Sequence, residues 1–279
     1  MKRTLFFIAL LFAAAACASA TSEKTPRKEI AIQLYSVRSL IGSYGENQQD
    51  YTEVLKALAE MGYTGVEAAS YADGRFYGKD PETFRKDPEE LASGDFSESL
   101  KWWDACIAAH KAAGMSYIVY PYMEVPATLH DLQTQCAYLN AIGAKCREQG
   151  IRFGYHNHSH EFRKVEDQAV MLEYMLEHTD PENVFFQLDV YWAVMGQASP
   201  VDLFRKYPGR FRMLHIKDRR EIGQSGMVGF DAIFRNAELA GVEQIVVEQE
   251  ESEYDIEKGV EMSLDYLLEA PFVKASYEK

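Results

Sequence analysis

Polar residues able to hold a metal or move a proton recur at the ends of short apolar runs: Glu67, His156, His158, Asp189, His215, Lys217, Glu248 and Glu250. Side chains alternate along a strand, so each run divides into two faces. Leu214 and Ile216 share an apolar face while Met213, His215 and Lys217 form the other. In the same way Phe186, Leu188 and Val190 oppose Gln187 and Asp189, Glu248 pairs with Glu250, and His156 with His158. Gln33 and Glu67 end the first two runs, Glu161 follows the histidine pair, and Trp192 follows Asp189. Each has a bland explanation when taken singly, a hydrogen-bonded histidine or a solvated carboxylate. Several charges desolvated together at one rim would be costly unless paired, and a divalent cation offsets their repulsion. Carboxylates with imidazole suit Mn2+, Mg2+, Co2+ or Zn2+. Such a cation beside a carbonyl stabilises the charge left when a neighbouring carbon loses its proton. His156 and His158 are candidates for moving that proton, because imidazole titrates near neutral pH. Lys217 could hold a developing oxyanion or form a salt bridge with Asp218 or Glu250.

A repeated helix–glycine–strand unit positions these residues. Apolar residues Tyr51, Val54, Leu55, Leu58 and Met61 follow helical spacing, Gly62 stops the helix, and Gly65–Ala69 reads as a strand. The pattern returns as a helix Trp102–Ala113, Gly114 and a strand Tyr117–Tyr120. It returns again as Leu132–Gln149, Gly150 and Ile151–Tyr155, and as Phe230–Ala240, Gly241 and Gln244–Val247. Glycine just past a last turn is the favoured left-handed cap. Further strands are expected at Ile30–Tyr35, Val184–Asp189 and Arg212–Ile216, with a final helix at Ile256–Leu268. This alternation implies parallel strands joined by crossover helices. A (β/α)8 barrel needs eight strands, and only a polar, helix-like stretch, Lys79–Gly94, fills the gap after Ala69. The third strand is therefore expected to be degenerate or missing. Active sites of such barrels lie at the C-terminal ends of the strands, where the polar residues fall.

The 279 residues are 47% hydrophobic and 26% charged, which excludes a disordered chain and fits one barrel domain. The net charge of −14 argues against nucleic acid as a partner. Lys2 and Arg3 followed by an apolar run Leu5–Ala16 read as an export signal, too short for a membrane-spanning helix. Two cleavage sites compete: Ala18-Ser19-Ala20 for ordinary signal peptidase, and Ala14-Ala15-Ala16-Cys17 as a lipoprotein box with Ala14 where Leu is usual. The expected organisation is an export signal over 1–20, a linker over 21–28 and one barrel over 29–279. The protein would then be periplasmic or membrane-anchored, its only membrane attachment a lipid at Cys17. Cys136 and Cys146 lie about 15 Å apart along one helix, too far for a disulfide. With Cys106 they read as small core residues, and no spacing suggests structural zinc.

Gln33-Leu34-Tyr35-Ser36-Val37-Arg38, Tyr155-His156-Asn157-His158 with Glu161-Phe162, Gln187-Leu188-Asp189-Val190, His215-Ile216-Lys217-Asp218 and Val247-Glu248-Gln249 resemble the sugar phosphate isomerase/epimerase family with the xylose-isomerase-like TIM barrel. The resemblance runs from about Ile30 to Leu268 and is closest to the branch containing the His-Asn-His motif. It implies one divalent metal, commonly manganese, held by Asp189, His215 and Glu248. At the fourth position, where epimerases often carry Glu, His156 stands instead, and Glu161 is the expected carboxylate. Glu67, Trp192 and Glu250 would contact substrate, and His156, His158 and Lys217 would act on it.

The resulting expectation is a metal-dependent isomerase or epimerase abstracting a proton beside the carbonyl of an unphosphorylated sugar. The alternative is a 3-keto-glycoside lyase or hydratase, in which the same abstraction expels a neighbouring oxygen. An apurinic endonuclease would need many histidines at the rim, whereas His110, His130 and His178 fall on helices. A non-catalytic sugar-binding lipoprotein would have had no need of the Asp189/His215/Glu248 set.

Overall fold

A computed structural model describes residues 27–41, 51–68 and 97–277. The segment read as an export signal, with Cys17, and the helix-like stretch 79–94 lie outside the described residues. Seven parallel strands form the central sheet: β1 (Ala31–Gln33), β2 (Gly65–Glu67), β3 (Tyr117–Tyr120), β4 (Arg152–His156), β5 (Val184–Asp189), β6 (Met213–Lys217) and β7 (Gln244–Glu248). Their order is β2-β1-β7-β6-β5-β4-β3, the sequential winding of a TIM barrel. Among the described residues nothing pairs β2 with β3. A strand between them would fall in 69–96, outside the described residues.

The local chemistry explains most boundaries. Gly62, Gly114, Gly150 and Gly241 all take positive φ, at 126°, 75°, 76° and 85°. At Gly241 a side chain is doubly excluded, since a Cβ would stand 2.8 Å from the Cα of Gly209. Strand β1 is shorter than its apolar run because the Gln33 side chain accepts a bond from Tyr35 N at 3.2 Å and turns the chain into a 3-10 helix, Leu34–Val37. The single helix expected over Phe230–Ala240 is two, Phe230–Arg235 and Ala237–Ala240. Asn236 breaks it, with φ −105° and ψ 5°, and its amide donates to Ala232 O at 2.8 Å. Cys106, Cys136 and Cys146 are free and buried, and burial pushes the thiols of Cys136 and Cys146 up to about 12.

Alternation sorts the strands as expected. Phe153, Phe186, Leu188, Leu214, Ile216 and Val247 pack under the helices. Below the rim a separate apolar cluster of Phe185, Met213 and Val246 packs with Ala31, Tyr117 and Val119 on the inward face. Polar side chains one inward position further along these strands stand above it. Gly154 is opposite Phe185 in the β4–β5 register, and a Cβ there would lie 2.5 Å from the Phe185 ring. Gly154→Ala should therefore destabilise the protein by about 1–3 kcal/mol in urea unfolding, the usual cost of overpacking. Phe185→Leu should relieve part of that cost in the double variant. Strictly additive losses would show that the ring is not the obstacle.

Candidate active site

The strand ends meet at a cavity of about 800 Å3 lined by Gln33, Glu67, His156, His158, Gln187, His215, Glu248 and Glu250, among others. Register brings the polar residues level, pairing Gln33 with Glu67, His156 with Gln187, Asp189 with His215, and Lys217 with Glu248.

His215 is the centre. It is 2% exposed, its Nε2 is 3.1 Å from Glu67 Oε1, and its Nδ1 lies 3.5 Å from Glu248 Oε2 and 3.8 Å from Asp189 Oδ2. Burial opposes its charge, but Glu67 and Glu248 outweigh burial and hold the imidazole well above its ordinary value. Burial raises the Asp189 carboxyl to about 6. Glu248 is pulled below the usual carboxylate range because His215 and Lys217 overcome the effect of burial. Asp189 Oδ1 caps the helix Val190–Met195 by accepting Trp192 N at 2.7 Å, and Asp189 N donates to Asn157 Oδ1 at 3.1 Å. The other carboxylate oxygen, Oδ2, and His215 Nδ1 are buried with no hydrogen-bond partner.

Two facing buried atoms left without partners, with Glu248 beside them, are what a small cation would satisfy. It would replace the proton that His215 otherwise carries. His156 completes the group, because His156, Asp189 and His215 each offer a ligand atom within 4.8 Å of the others. Its Nδ1 is 3.0 Å from Gln187 Oε1, while Gln187 Nε2 donates to Glu67 Oε2 at 2.7 Å. The amide oxygen must then accept, so Nδ1 carries the proton and Nε2 keeps the lone pair. Burial and the nearby His215 hold His156 well below its ordinary value, hence neutral.

Glu161, expected as the fourth ligand, is not brought into this group. It is fully buried, accepting from Tyr155 OH at 2.7 Å and from His158 N at 2.8 Å, with His160 Nε2 3.3 Å away. Tyr155 sits on the helix-facing side of β4, so the 3-10 turn His160–Phe162 draws the carboxylate behind the strand end. His158, with its imidazole lowered to about 4 by burial and by His160, has a buried and unpartnered Nδ1. Its ring centroid lies 4.8 Å from His156 and 6.1 Å from Trp192. Lys217 is 2% exposed and pairs with Glu250 Oε2 at 3.1 Å, within 3.9 Å of Glu248. Its ammonium lies 5.6 Å from the Trp192 ring and 5.7 Å from that of Tyr191. Asp218 instead accepts the backbone N–H groups of Arg219, Gly223 and Ser225. Sequence reasoning passed over Gln187 as a hub and Asn157 as a strut, since neutral amides carry no chemical signature until their partners are known.

The sequential parallel barrel and the charged rim at its strand ends define a class. The model of the xylose isomerase-like TIM barrel family matches residues 90–270, and the chain belongs to that family. Its relatives include a sugar phosphate isomerase/epimerase from Parabacteroides distasonis ATCC 8503, with 32% identity over 92% of this chain and 99% of that one, TM-score 0.78. An inosose dehydratase from Geobacillus kaustophilus (strain HTA426) is 24% identical over 60% of this chain, which spans only 62% of that relative's length. The IolI protein with a bound zinc atom shares the fold at TM-score 0.59 and 13% identity, over 85% of this chain and 95% of that one.

The hydrogen bonds of Glu161 make its role testable. Glu161→Ala leaves the Tyr155 hydroxyl and the His158 N–H without their acceptor. It should cost the metal-free protein about 1–3 kcal/mol in urea unfolding. An unchanged midpoint would mean that the carboxylate is not what holds the loop.

Proposed function

We propose that the protein is a lyase of the dehydratase kind, acting on an unphosphorylated keto-sugar or keto-glycoside. The observation that carries this reading is one neutral imidazole, His158, with a buried and unpartnered Nδ1, 4.8 Å from His156 between centroids and near the charged centre at His215 and the buried Lys217 ammonium. Elimination needs a base for the carbon-bound proton and a proton source for the departing oxygen, and this rim offers both. The likeness to inosose dehydratase supports the elimination outcome. The cavity carries Glu67, Glu248 and Glu250, with Lys217 already paired to Glu250, a lining that disfavours a phosphate group.

Asp189, His215, Glu248 and the Nε2 of His156 would hold a divalent cation, manganese first and Mg2+, Co2+ or Zn2+ as alternatives. When bound, it supplies Lewis-acid polarisation of the substrate carbonyl. His158 takes the proton from the carbon beside the carbonyl. The C–H electron pair becomes the new C=C bond, the neighbouring C–O bond breaks, and its electrons leave on oxygen, which takes up the proton that His158 had removed, so the imidazole is neutral again at the end. Lys217 steadies the oxyanion. Glu161 fixes His158 through its backbone N–H, and Trp192 stands behind the His158 ring. An isomerase or epimerase, in which the abstracted proton returns to carbon, is the second reading, favoured by the Parabacteroides relative.

Products separate the two. A released aglycone or an unsaturated sugar accords with elimination, whereas a rearranged sugar of unchanged mass would overturn it. Asp189→Ala and Glu248→Ala should remain folded but lose stoichiometric Mn2+ binding in calorimetric titration; binding like the parent's would refute the ligand set. His158→Gln should keep the metal and lower turnover by about 10²–10⁴, while His156→Gln should weaken metal retention. Because burial and His160 lower His158 to about 4, the base form prevails well below pH 6. Acid would also protonate Asp189 and His215 and strip the cation, so Mn2+ content should be followed alongside turnover. A loss centred at 6.5, the ordinary imidazole value, with Mn2+ content unchanged, would exclude His158 as the base.

A further inference from the structure

Aromatic rings extend outward from His158, the one of them that lines the cavity. Trp192, beside Lys217, lies 6.1 Å from His158 between ring centroids; His158 stacks on His160 at 5.7 Å and 17°; and His160 meets Tyr122 at 4.8 Å. Tyr122 also stands edge-on to His158 at 5.6 Å. These rings thus run from a buried ammonium to a phenol ring that is 45% exposed just beyond the C-terminal end of β3. Isolated exposed aromatics are ordinary on protein surfaces, but this one is held in place. Its hydroxyl donates to Glu124 Oε1 at 3.1 Å, and the ring it rests on is anchored by His160 Nε2 bonding Met123 O at 2.9 Å. A ring held rigid with one side against His160 and much of its surface open offers a stacking platform at little entropic cost.

We propose that Tyr122, backed by His160, is the outer subsite for the leaving group, so that the substrate is a two-ring keto-glycoside and not a single free ring. This rests on the elimination reading above and adds to it the class of substituent expelled. Sugar and aryl rings present C–H or π faces that stack on aromatic side chains. The polar inner cavity, with Glu67, Gln187 and Glu248, suits the hydroxylated reacting ring. A departing water would need no rings beyond His158, whereas a departing ring would pass along them.

The test uses the full chain loaded with Mn2+ and two unreactive probes, phenyl β-glucoside and methyl β-glucoside, followed by intrinsic tryptophan fluorescence. The parent should bind the phenyl glycoside about tenfold more tightly, the usual scale of one stacking contact. Tyr122→Ala should abolish that preference without changing methyl glucoside affinity, and Tyr122→Phe, which loses only the Glu124 bond, should retain it. With the corresponding 3-keto-glycosides, Tyr122→Ala should raise KM and leave kcat near the parent value. No preference in the parent, or equal weakening of both probes in Tyr122→Ala, would overturn the subsite. If the binding preference holds but no keto-glycoside is cleaved, the elimination reading fails and the subsite stands.

Discussion

The architecture depends on one buried imidazole. His215 is enclosed at the centre of a barrel by Glu67, Glu248 and Asp189, and the group can be buried only because its charges answer each other. A carboxylate or imidazolium alone at that depth would be neutralised by its surroundings. The apolar cluster of Phe185, Met213 and Val246 lies below this group, and the parallel register sets the level. Shifting β6 by one residue would send His215 among the helices and bring Leu214 into the cavity.

The same residue type is driven in opposite directions within a few ångströms. Glu67 and Glu248 keep His215 charged, while burial together with His215 keeps His156 neutral. His158 is lowered to about 4 by burial first and then by its neighbour His160. One imidazole thus carries the proton that a cation would displace, and two others present lone pairs. Groups whose environments push their affinities for protons apart are how a site divides electrostatic and proton-transfer roles. Gln187 enforces the division by bonding Glu67 with its amide nitrogen and His156 with its oxygen, which fixes the tautomer of His156.

Much of this was legible from the residues alone. The run Val184–Asp189 is a strand over the expected residues, and the four stop glycines lie where helices end, because hydrophobic period and left-handed caps are local properties. The clustering of His156, Asp189, His215 and Glu248 followed from alternation within strands plus the rule that barrels expose their strand ends. Alternation fails where the strand ends. Glu161 lies beyond β4 in a turn whose direction depends on Tyr155 and the backbone of His158, so spacing alone could not tell a carboxylate reaching toward the centre from one tucked behind the strand. The break at Asn236 was similarly hidden, since a helical apolar period runs through it.

Placing Glu161 behind the strand changes the chemistry that the rim can perform. A carboxylate donor at the fourth position would bring negative charge to the cation and leave both imidazoles of the His156-Asn157-His158 motif for acid–base work. With His156 in that position, the donor set has one charge fewer, so a bound cation keeps more of its own charge for the substrate carbonyl. The carboxylate is not lost but acts at one remove, holding the backbone N–H of His158 at 2.8 Å and so setting where that imidazole points. A more electrophilic centre and a single, well-fixed neutral base favour removing a proton without returning it on the opposite face. Epimerisation requires a second group across the ring from the first. His158 keeps an unpartnered Nδ1 in the turn after β4, whereas Glu67 is already engaged by Gln33, Gln187 and His215. One neutral base beside a buried ammonium is what the proposed elimination would use.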